Sequence, residues 1–353
     1  MRKTNYIFTI LLVIAFSLWP FAAASAQGEA PQLRITQVDN SKFPNVTVYV
    51  SATNAAGEPV GVDPATIQIY ENGQLMQISD IQGGGEVVGQ ESIPVTTMLV
   101  MDISGSMEKN DKFAAAKEAA KSYVAQMRPG DQAGLITYDT QVYTVQTITP
   151  DTAALTAAID GLKTGSDTAM YNALMEAEKA LDGASGRKAI IVLTDGLDNK
   201  SQSTADDVIN TIGQSGLTIS AIGFGDASTR GQTGLDEAAL KLLAEKSGGV
   251  YGYADNAEVL KALYQQQSRA MQSEYRITYV SPAALRDGVN RNITVSLTSA
   301  PVSVEGKYNP GGVLPEVSGR SWNMFGVLLV GLLVLLFVPI LFGLLRGAFS
   351  GIK

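Results

Sequence analysis

The sequence of 353 residues contains no cysteine and no histidine. Without cysteine the chain has no disulfide, no thiolate nucleophile and no iron–sulfur cluster. Without histidine it has no Ser–His–Asp triad and no imidazole metal ligand. A metal ion would therefore have to be bound by oxygen atoms, which favours a hard cation such as Mg²⁺, Mn²⁺ or Ca²⁺.

Basic residues are also few, with 26 Lys and Arg against 34 Asp and Glu and a formal net charge of −8. Because nucleic-acid binding needs a basic surface, we expect no nucleic-acid partner. Hydrophobic residues make up 45% of the chain and charged residues 17%, which predicts folded domains rather than disorder. The length suffices for two domains.

Residues 1–26 have the pattern of a cleaved secretory signal peptide. Arg2 and Lys3 precede an uncharged apolar segment, and Ala24-Ser25-Ala26 supplies the small residues of a cleavage site. The alternative is an uncleaved N-terminal anchor. We expect export across the membrane with cleavage near Ala26.

A second apolar segment lies near the C-terminus, where residues 321–345 contain no charged side chain. As a helix this segment would be about 37 Å long, compared with roughly 30 Å for the hydrocarbon core of a bilayer. We therefore expect a linker at 306–321, a transmembrane helix at 322–345 and a tail at 346–353. Arg346 and Lys353 follow the span, which predicts a cytoplasmic C-terminus with the bulk of the chain extracytoplasmic.

Residues 31–90 and 275–305 alternate apolar and polar side chains, as strands do. The second segment predicts three strands, too few for an independent domain, so we expect both segments to form one small β-sandwich. Gly83-Gly84-Gly85 indicates a flexible joint after the first segment.

Between these segments, residues 93–273 alternate apolar strands with amphipathic helices. This pattern predicts a doubly wound, mostly parallel sheet covered by helices on both faces and inserted into the sandwich. The predicted strands cover 95–101, 133–138, 142–148, 189–193, 217–224 and 250–253. The predicted helices cover 113–127, 151–162, 168–182, 204–214, 235–247 and 256–273.

Three segments at predicted strand ends or helix starts offer oxygen donors at the edge where such sheets bind ligands. They contribute Asp102, Ser104 and Ser106, then Thr168, and then Asp195. Asp102, Ser104 or Thr168 alone would most simply cap a helix, whereas the three segments together predict a metal site. The neighbouring residues Asp139, Asp198 and Asn199 are expected to be structural.

The Asp-x-Ser-Gly-Ser loop at 102–106, the threonine before a helix and the later Thr-Asp-Gly loop resemble the von Willebrand factor type A domain. The resemblance covers about residues 93–272. It implies a Rossmann-like six-stranded sheet and a metal-ion-dependent adhesion site. By resemblance, Ser104, Ser106 and Thr168 bind Mg²⁺ or Mn²⁺, with Asp102 and Asp195 close by, some of them through water.

One residue departs from the family pattern, because Asp167 stands where the family often has glycine before the threonine. Its carboxylate either crowds the site or adds an outer-sphere ligand, and the sequence does not distinguish these two effects.

A binding function follows from the donor set. Mg²⁺ prefers six oxygen ligands, and two carboxylates leave the ion electrophilic, so a partner's Asp or Glu can complete its coordination. We expect a membrane-anchored extracytoplasmic adhesion or receptor module that binds a protein partner in this way. A scaffold for a membrane or secretion complex is the alternative.

Catalysis is not expected, since no activated nucleophile, general base or phosphate-binding glycine loop is evident. A metal-dependent phosphohydrolase is disfavoured because Ser104 stands where such enzymes typically have a second Asp.

Overall fold

The computed structural model describes residues 30–84, 93–184, 186–215, 217–225, 234–283, 285–312 and 322–349. The predicted signal peptide, residues 313–321 of the predicted linker and the last four residues of the tail lie outside these ranges.

Fourteen strands are found in the described ranges: β1 Gln32–Asp39, β2 Asn45–Thr53, β3 Ile67–Glu71, β4 Gln74–Leu75, β5 Ile78–Gly83, β6 Val95–Asp102, β7 Gln132–Tyr138, β8 Val142–Thr149, β9 Arg187–Thr194, β10 Thr218–Phe224, β11 Tyr251–Ala254, β12 Tyr275–Val280, β13 Arg291–Leu297 and β14 Ser303–Tyr308. The α-helices there are α1 Lys112–Val124, α2 Thr152–Asp160, α3 Met170–Leu181, α4 Ala205–Ser215, α5 Glu237–Lys246, α6 Ala257–Gln272 and α7 Trp322–Phe349.

The central sheet has the strand order β11-β10-β9-β6-β7-β8. The first five strands are mutually parallel, and β8 pairs antiparallel with β7 at one edge. The α/β class and a mixed sheet covered by helices are thus confirmed.

The central strands are buried on both faces, as their near-continuous apolar sequence requires. All eight residues of β6 are buried. Leu99 and Met101 pack in one core with α1, α2 and α6, while Met98 and Val100 pack in the other with α3, α4 and α5. Because alternate side chains of a strand point to opposite faces, one strand contributes to both cores.

Several helices begin where a side chain accepts hydrogen bonds from the first backbone N–H groups. Asp151 accepts from Ala153 and Ala154 at the start of α2, and Asn256 accepts from Val259 at the start of α6. Asp236 does the same for α5. Such caps stabilise a helix by about 1 kcal/mol each, which explains why these helices start within two residues of their predicted positions.

The remaining strands form two four-stranded sheets, β1-β2-β12-β5 and β14-β13-β3-β4, which pack face to face. Each sheet combines strands that precede the central sheet in sequence with strands that follow it. The last strand extends to Tyr308, and Asp287 forms a β-bridge with Gly312. The predicted linker boundary at 306 was therefore too early, because residues 306–312 still contact the sandwich.

The prediction of a flexible joint at the three glycines was wrong for the two that the structure describes. Gly83 and Gly84 are buried, with φ angles of 85° and 98°. A Cβ atom on Gly83 would lie 2.1 Å from the backbone oxygen of Glu274, and one on Gly84 would lie 2.1 Å from the Tyr275 ring. These glycines permit close packing against the start of β12 rather than flexibility. Gly85 lies outside the described residues.

A buried ion pair connects the central sheet to the sandwich. Arg187, the first residue of β9, donates from Nε and Nη2 to the carboxylate of Glu274 at 2.5 Å and 2.9 Å. The two side chains are only 1% and 3% exposed. Arg187 also donates to Gln37 of β1 and Thr218 of β10, so its guanidinium group bridges both parts of the fold.

Helix α7 contains the predicted membrane span. Side chains are described for residues 325–338, where each large apolar residue is between 45% and 77% exposed. Across the described ranges, no helix combines the length and the apolar character needed to cross a bilayer. The span at 322–345 therefore stays a prediction.

Replacing Glu274 with Gln should destabilise the fold by about 3–5 kcal/mol, because the Arg187 charge would remain buried without its counter-ion. Chemical denaturation of the two proteins measures this difference. Lys121→Met, which removes an exposed ion pair with Glu118 and Asp160, is the control and should change little. Equal unfolding midpoints for Glu274→Gln and the parent would contradict the assigned role of the ion pair.

Candidate metal site at the carboxyl edge of the sheet

Three loops meet at the carboxyl ends of β6 and β9 and at the start of α3. Loop 1 comprises residues 103–107, loop 2 residues 164–168 and loop 3 residues 195–200. All five predicted site residues lie on these loops or directly before them, and the structure brings the loops into contact.

Backbone hydrogen bonds join loop 1 to loop 2. Gly105 donates to the carbonyl of Ser166 at 2.8 Å, and Gly165 donates to the carbonyl of Ile103 at 2.5 Å. A Cβ atom on Gly165 would lie 2.0 Å from Asp139 Oδ2, so glycine allows loop 2 to pack against the end of β7.

Loop 3 is joined to loop 2 around Thr168. The backbone N–H of Thr168 donates to Asn199 Oδ1 at 3.1 Å, and its carbonyl accepts from the backbone of Asn199 and Lys200. Asp198 accepts from the backbone of Tyr171 and Ser201. Asn199 and Asp198 thus hold the loop, as expected from the sequence.

Asp102 ends β6 and is fully buried. Its Oδ1 accepts from the backbone of Ser104 at 2.8 Å, and its Oδ2 accepts from the hydroxyl of Thr194 at 2.8 Å. Burial raises the pKa of this carboxyl to about 6, although the hydrogen bonds from Ser104 act in the opposite direction. The nearby charge of Asp195 raises it further.

The two serines of loop 1 connect to Asp195. Ser104 Oγ lies 3.0 Å from Ser106 Oγ, and Ser106 Oγ donates to Asp195 Oδ1 at 2.6 Å. Two hydroxyls and one carboxylate therefore form a continuous chain of oxygen atoms. Asp195 is 4% exposed and Ser104 is 2% exposed, so this chain lies at the bottom of the loop cluster.

The alternative that these residues merely cap helices does not describe their contacts. Ser104 precedes a short helical turn at Gly105 without a side-chain capping bond. At the start of α3 the capping position is Ala169, so Thr168 lies outside it. Thr168 is buried, and its Oγ1 would be 4.0 Å from a Cβ atom on Gly196, which places it beside loop 3.

Asp167 lies at the rim of the cluster. Its Oδ2 is 3.4 Å from Lys200 Nζ and 3.4 Å from Thr140 Oγ1, and its side chain is 37% exposed. The carboxylate that departs from the family pattern is thus paired with a basic residue of loop 3. Because Asp167 is paired at the rim, it is better placed to be an outer-sphere ligand than to crowd the buried oxygen donors.

This geometry fits the matches to known proteins. The family model described as von Willebrand factor type A domain matches residues 97–197, which include loops 1 and 2 and the start of loop 3. Residues 97–197 therefore belong to a von Willebrand factor type A (VWA) domain.

The VWA domain has curated relatives. A UPF0353 protein of Mycobacterium avium is 31% identical over 193 residues, covering 47% of this chain and 58% of that protein. Calcium-activated chloride channel regulator 3A-1 of Mus musculus is 27% identical over 196 residues, covering 50% of this chain and 20% of that protein. This chain thus spans less than three fifths of the UPF0353 relative.

Solved structures are similar in fold. A von Willebrand factor type A protein from Catenulispora acidiphila aligns with a TM-score of 0.47 at 17% identity, covering 79% of this chain and 72% of that chain. BatB from Bacteroides thetaiotaomicron aligns with a TM-score of 0.43 at 23% identity, covering 51% of this chain and all of that one. At these identities the likeness concerns the fold and not the function.

One residue of the candidate metal site in the VWA domain could not be identified from the sequence. Lys112, the first residue of α1, places its Nζ 2.5 Å from Asp195 Oδ2. The available signal was its position, because a positive charge at a helix N-terminus is unfavourable unless an acidic group compensates it. The sequence does not indicate that Asp195, 83 residues later, is that group.

The donor chemistry of the VWA site fits a hard cation. The three adjoining loops carry three hydroxyls and two carboxylates, all of them oxygen donors of the kind that Mg²⁺ and Mn²⁺ accept. Within the described ranges, no group of three or more His, Cys, Asp or Glu side chains is placed to hold a metal. A metal at this site would therefore depend on the hydroxyl groups of Ser104, Ser106 and Thr168.

The raised pKa of Asp102 predicts a pH-dependent stability when metal is removed by chelator. Between the unfolded value of 3.8 and the folded value of about 6, the folded state binds more protons, so the free energy of unfolding should fall as pH rises through this window. The change is about 3 kcal/mol, at roughly 1.4 kcal/mol per pKa unit.

Asp102→Asn removes this titration and serves as the reference. Denaturation in EDTA at pH 4, 5, 6 and 7 should show the parent losing stability relative to Asp102→Asn with rising pH. A stability difference that is constant across this range would contradict the raised pKa.

Proposed function

We propose that this protein is a non-catalytic binding module that recognises a carboxylate of a protein partner through a divalent cation, Mg²⁺ or Mn²⁺. Ser104, Ser106 and Thr168 would hold the ion, with Asp102 and Asp195 close by. The ion supplies an electrophilic centre with an open position for a partner's Asp or Glu.

The convergence of the three loops supports this proposal most strongly. Each loop is hydrogen-bonded to a neighbouring loop, and a hydroxyl chain links loop 1 directly to Asp195 of loop 3. Such an arrangement is preorganised, so little conformational entropy is lost when an ion binds. If these residues served only as separate helix caps and turns, hydrogen bonds between the three loops would not be required.

The rim of the site suits a protein partner better than a small substrate. Leu197, two residues after Asp195, is 48% exposed. A cavity of about 470 Å³ lies beside the start of α1 and is lined by residues that include Ala115, Phe224 and Asn256. An exposed apolar side chain such as Leu197 is the kind of group that protein interfaces bury.

A non-catalytic role also follows from the state of Asp102, the carboxyl with a raised pKa. A general base must reach the proton that it removes. Asp102 is fully buried, and both of its oxygens already accept hydrogen bonds from Thr194 and Ser104. It is therefore placed to support the loops rather than to transfer protons.

Membrane anchoring and an extracytoplasmic location are part of the proposal. The sequence supports them through the signal-like residues 1–26, the uncharged segment 321–345 and the basic residues that follow it. In helix α7 the large apolar side chains of residues 325–338 are exposed, as they would be toward lipid. The C-terminus would then be cytoplasmic.

Titration of the purified full chain with MgCl₂ tests the metal site. Calorimetry should show one binding event that disappears in Asp102→Ala, because this carboxylate organises loop 1. Asp206→Ala, which removes an exposed carboxylate on α4, is the control and should bind like the parent. Unchanged binding after Asp102→Ala would exclude the assigned site.

Chelation should abolish partner binding while leaving the fold intact. Burial of each large apolar side chain contributes roughly 1.5–3 kcal/mol, and β6, β9 and β10 bury many. One ion adds only about 2.7 kcal/mol at a hundredfold excess over its Kd. Circular dichroism melts and pull-downs, each with and without EDTA, measure the two effects, and Thr168→Ala should reproduce the loss of binding. Collapse of the fold in EDTA would indicate a structural metal instead.

A further inference from the structure

Lys112 occupies an unusual position for a basic residue. Its Nζ lies 2.5 Å from Asp195 Oδ2, while the other oxygen of the same carboxylate accepts from Ser106 Oγ at 2.6 Å. The Asp195 side chain is fully buried and the Lys112 side chain is 14% exposed. Both oxygens of a proposed metal-site carboxylate are therefore occupied by groups of the protein itself.

The backbone before Lys112 directs it into the site. Asn110 and Asp111 have φ angles of 56° and 55°, the left-handed conformation that few residues other than glycine adopt. This turn starts α1 at Lys112 and places its charge at the positive end of the helix dipole, where a cation is disfavoured. The carboxylate of Asp195 compensates the charge of Lys112 and the positive end of the helix dipole, which accounts for a lysine at this position.

We propose that Lys112 is a tethered cation that competes with the divalent ion for Asp195 and thereby lowers the metal affinity of the site. This inference rests on the proposed function, because it concerns the same metal site. It assigns to this chain a residue that sets how much Mg²⁺ or Mn²⁺ is needed before a partner can be bound.

Simple electrostatics gives the direction of the effect. A divalent ion that approaches Asp195 either remains close to the ammonium group and is repelled by it or displaces it. Displacement is feasible because lysine has a flexible four-carbon stem, and the side chain already reaches the surface. Repulsion opposes metal binding in the first case, and the ion pair between Lys112 and Asp195 is lost in the second, so metal binding is weakened in both.

The same ion pair stabilises the site in the absence of metal. Asp102 and Asp195 are both buried carboxyl groups of the same loop cluster, so negative charges on the two would repel each other. Lys112 offsets this repulsion, so the loops keep their arrangement before an ion arrives. Lys112 thus lowers the metal affinity of the site, but it keeps the site formed when no metal is bound.

Lys112→Met in the full chain tests the proposal by titration with MgCl₂ at constant pH. Removing a positive charge next to a divalent ion should lower the Kd for Mg²⁺ about tenfold, because the repulsion between the two cations is relieved. Lys117→Met is the matched control, because Lys117 lies on the same helix and donates to the carbonyl of Asp160 instead. It should leave the Kd within twofold of the parent.

Thermal melts give a second readout that does not depend on partner binding. In EDTA, Lys112→Met should melt below the parent because Asp195 is left without its counter-ion. Saturating Mg²⁺ should then raise its melting temperature by more than it raises that of the parent. Lys112→Gln is a second neutral variant that retains a polar head group, and the same outcomes apply to it if Lys112→Met does not fold.

The possible results separate this inference from the proposed function. If the parent binds Mg²⁺ and the neutral variants bind it equally or more weakly, Lys112 only supports Asp195 and the competition is refuted, while the metal site stands. If neither the parent nor the neutral variants bind Mg²⁺ or Mn²⁺, both proposals fail. Tighter binding in the neutral variants alone supports competition.

Discussion

The register between two neighbouring parallel strands determines where the residues of the candidate site lie. Met101 of β6 is paired with Leu193 of β9, so Asp102 lies beside Thr194, and Asp195 follows directly. The hydroxyl of Thr194 then reaches Asp102. Both strands are buried between two helical layers, so a slip by one residue would move apolar side chains to the wrong core. The packing of the core therefore determines the geometry of the site, and a bound ion is not needed for it.

The other end of β9 determines how the site faces its surroundings. Arg187 begins this strand and pairs with Glu274, which directly precedes sandwich strand β12. Eight residues of strand, about 26 Å, separate Arg187 of this ion pair from Asp195 at the opposite end. The sandwich therefore lies away from the three loops. The carboxyl edge of the sheet is therefore not covered by the sandwich.

Most elements of the VWA domain could be predicted because each has a strong local signal. The central strands are nearly continuous apolar runs, several helices begin at capping side chains, and loops 1 to 3 contain a recognisable motif. The direction of β8 was predictable in principle, since the short connection 139–141 permits only an antiparallel hairpin with β7. The role of Gly83 was not predictable, because the atom that leaves no room for a Cβ there belongs to Glu274, which is distant in sequence.

The residues that sequence reasoning missed share one property: their local environment looks unfavourable until a distant partner is known. A lysine at a helix N-terminus typically costs about 0.3–1 kcal/mol, and a buried arginine costs much more. Lys112 and Arg187 find their counter-ions 83 and 87 residues away, respectively. A sequence shows the unfavourable placement but not the residue that relieves it. Because natural sequences are otherwise locally consistent, such conflicts mark the places where tertiary structure or function has taken precedence. At Lys112, that place is the candidate metal site itself.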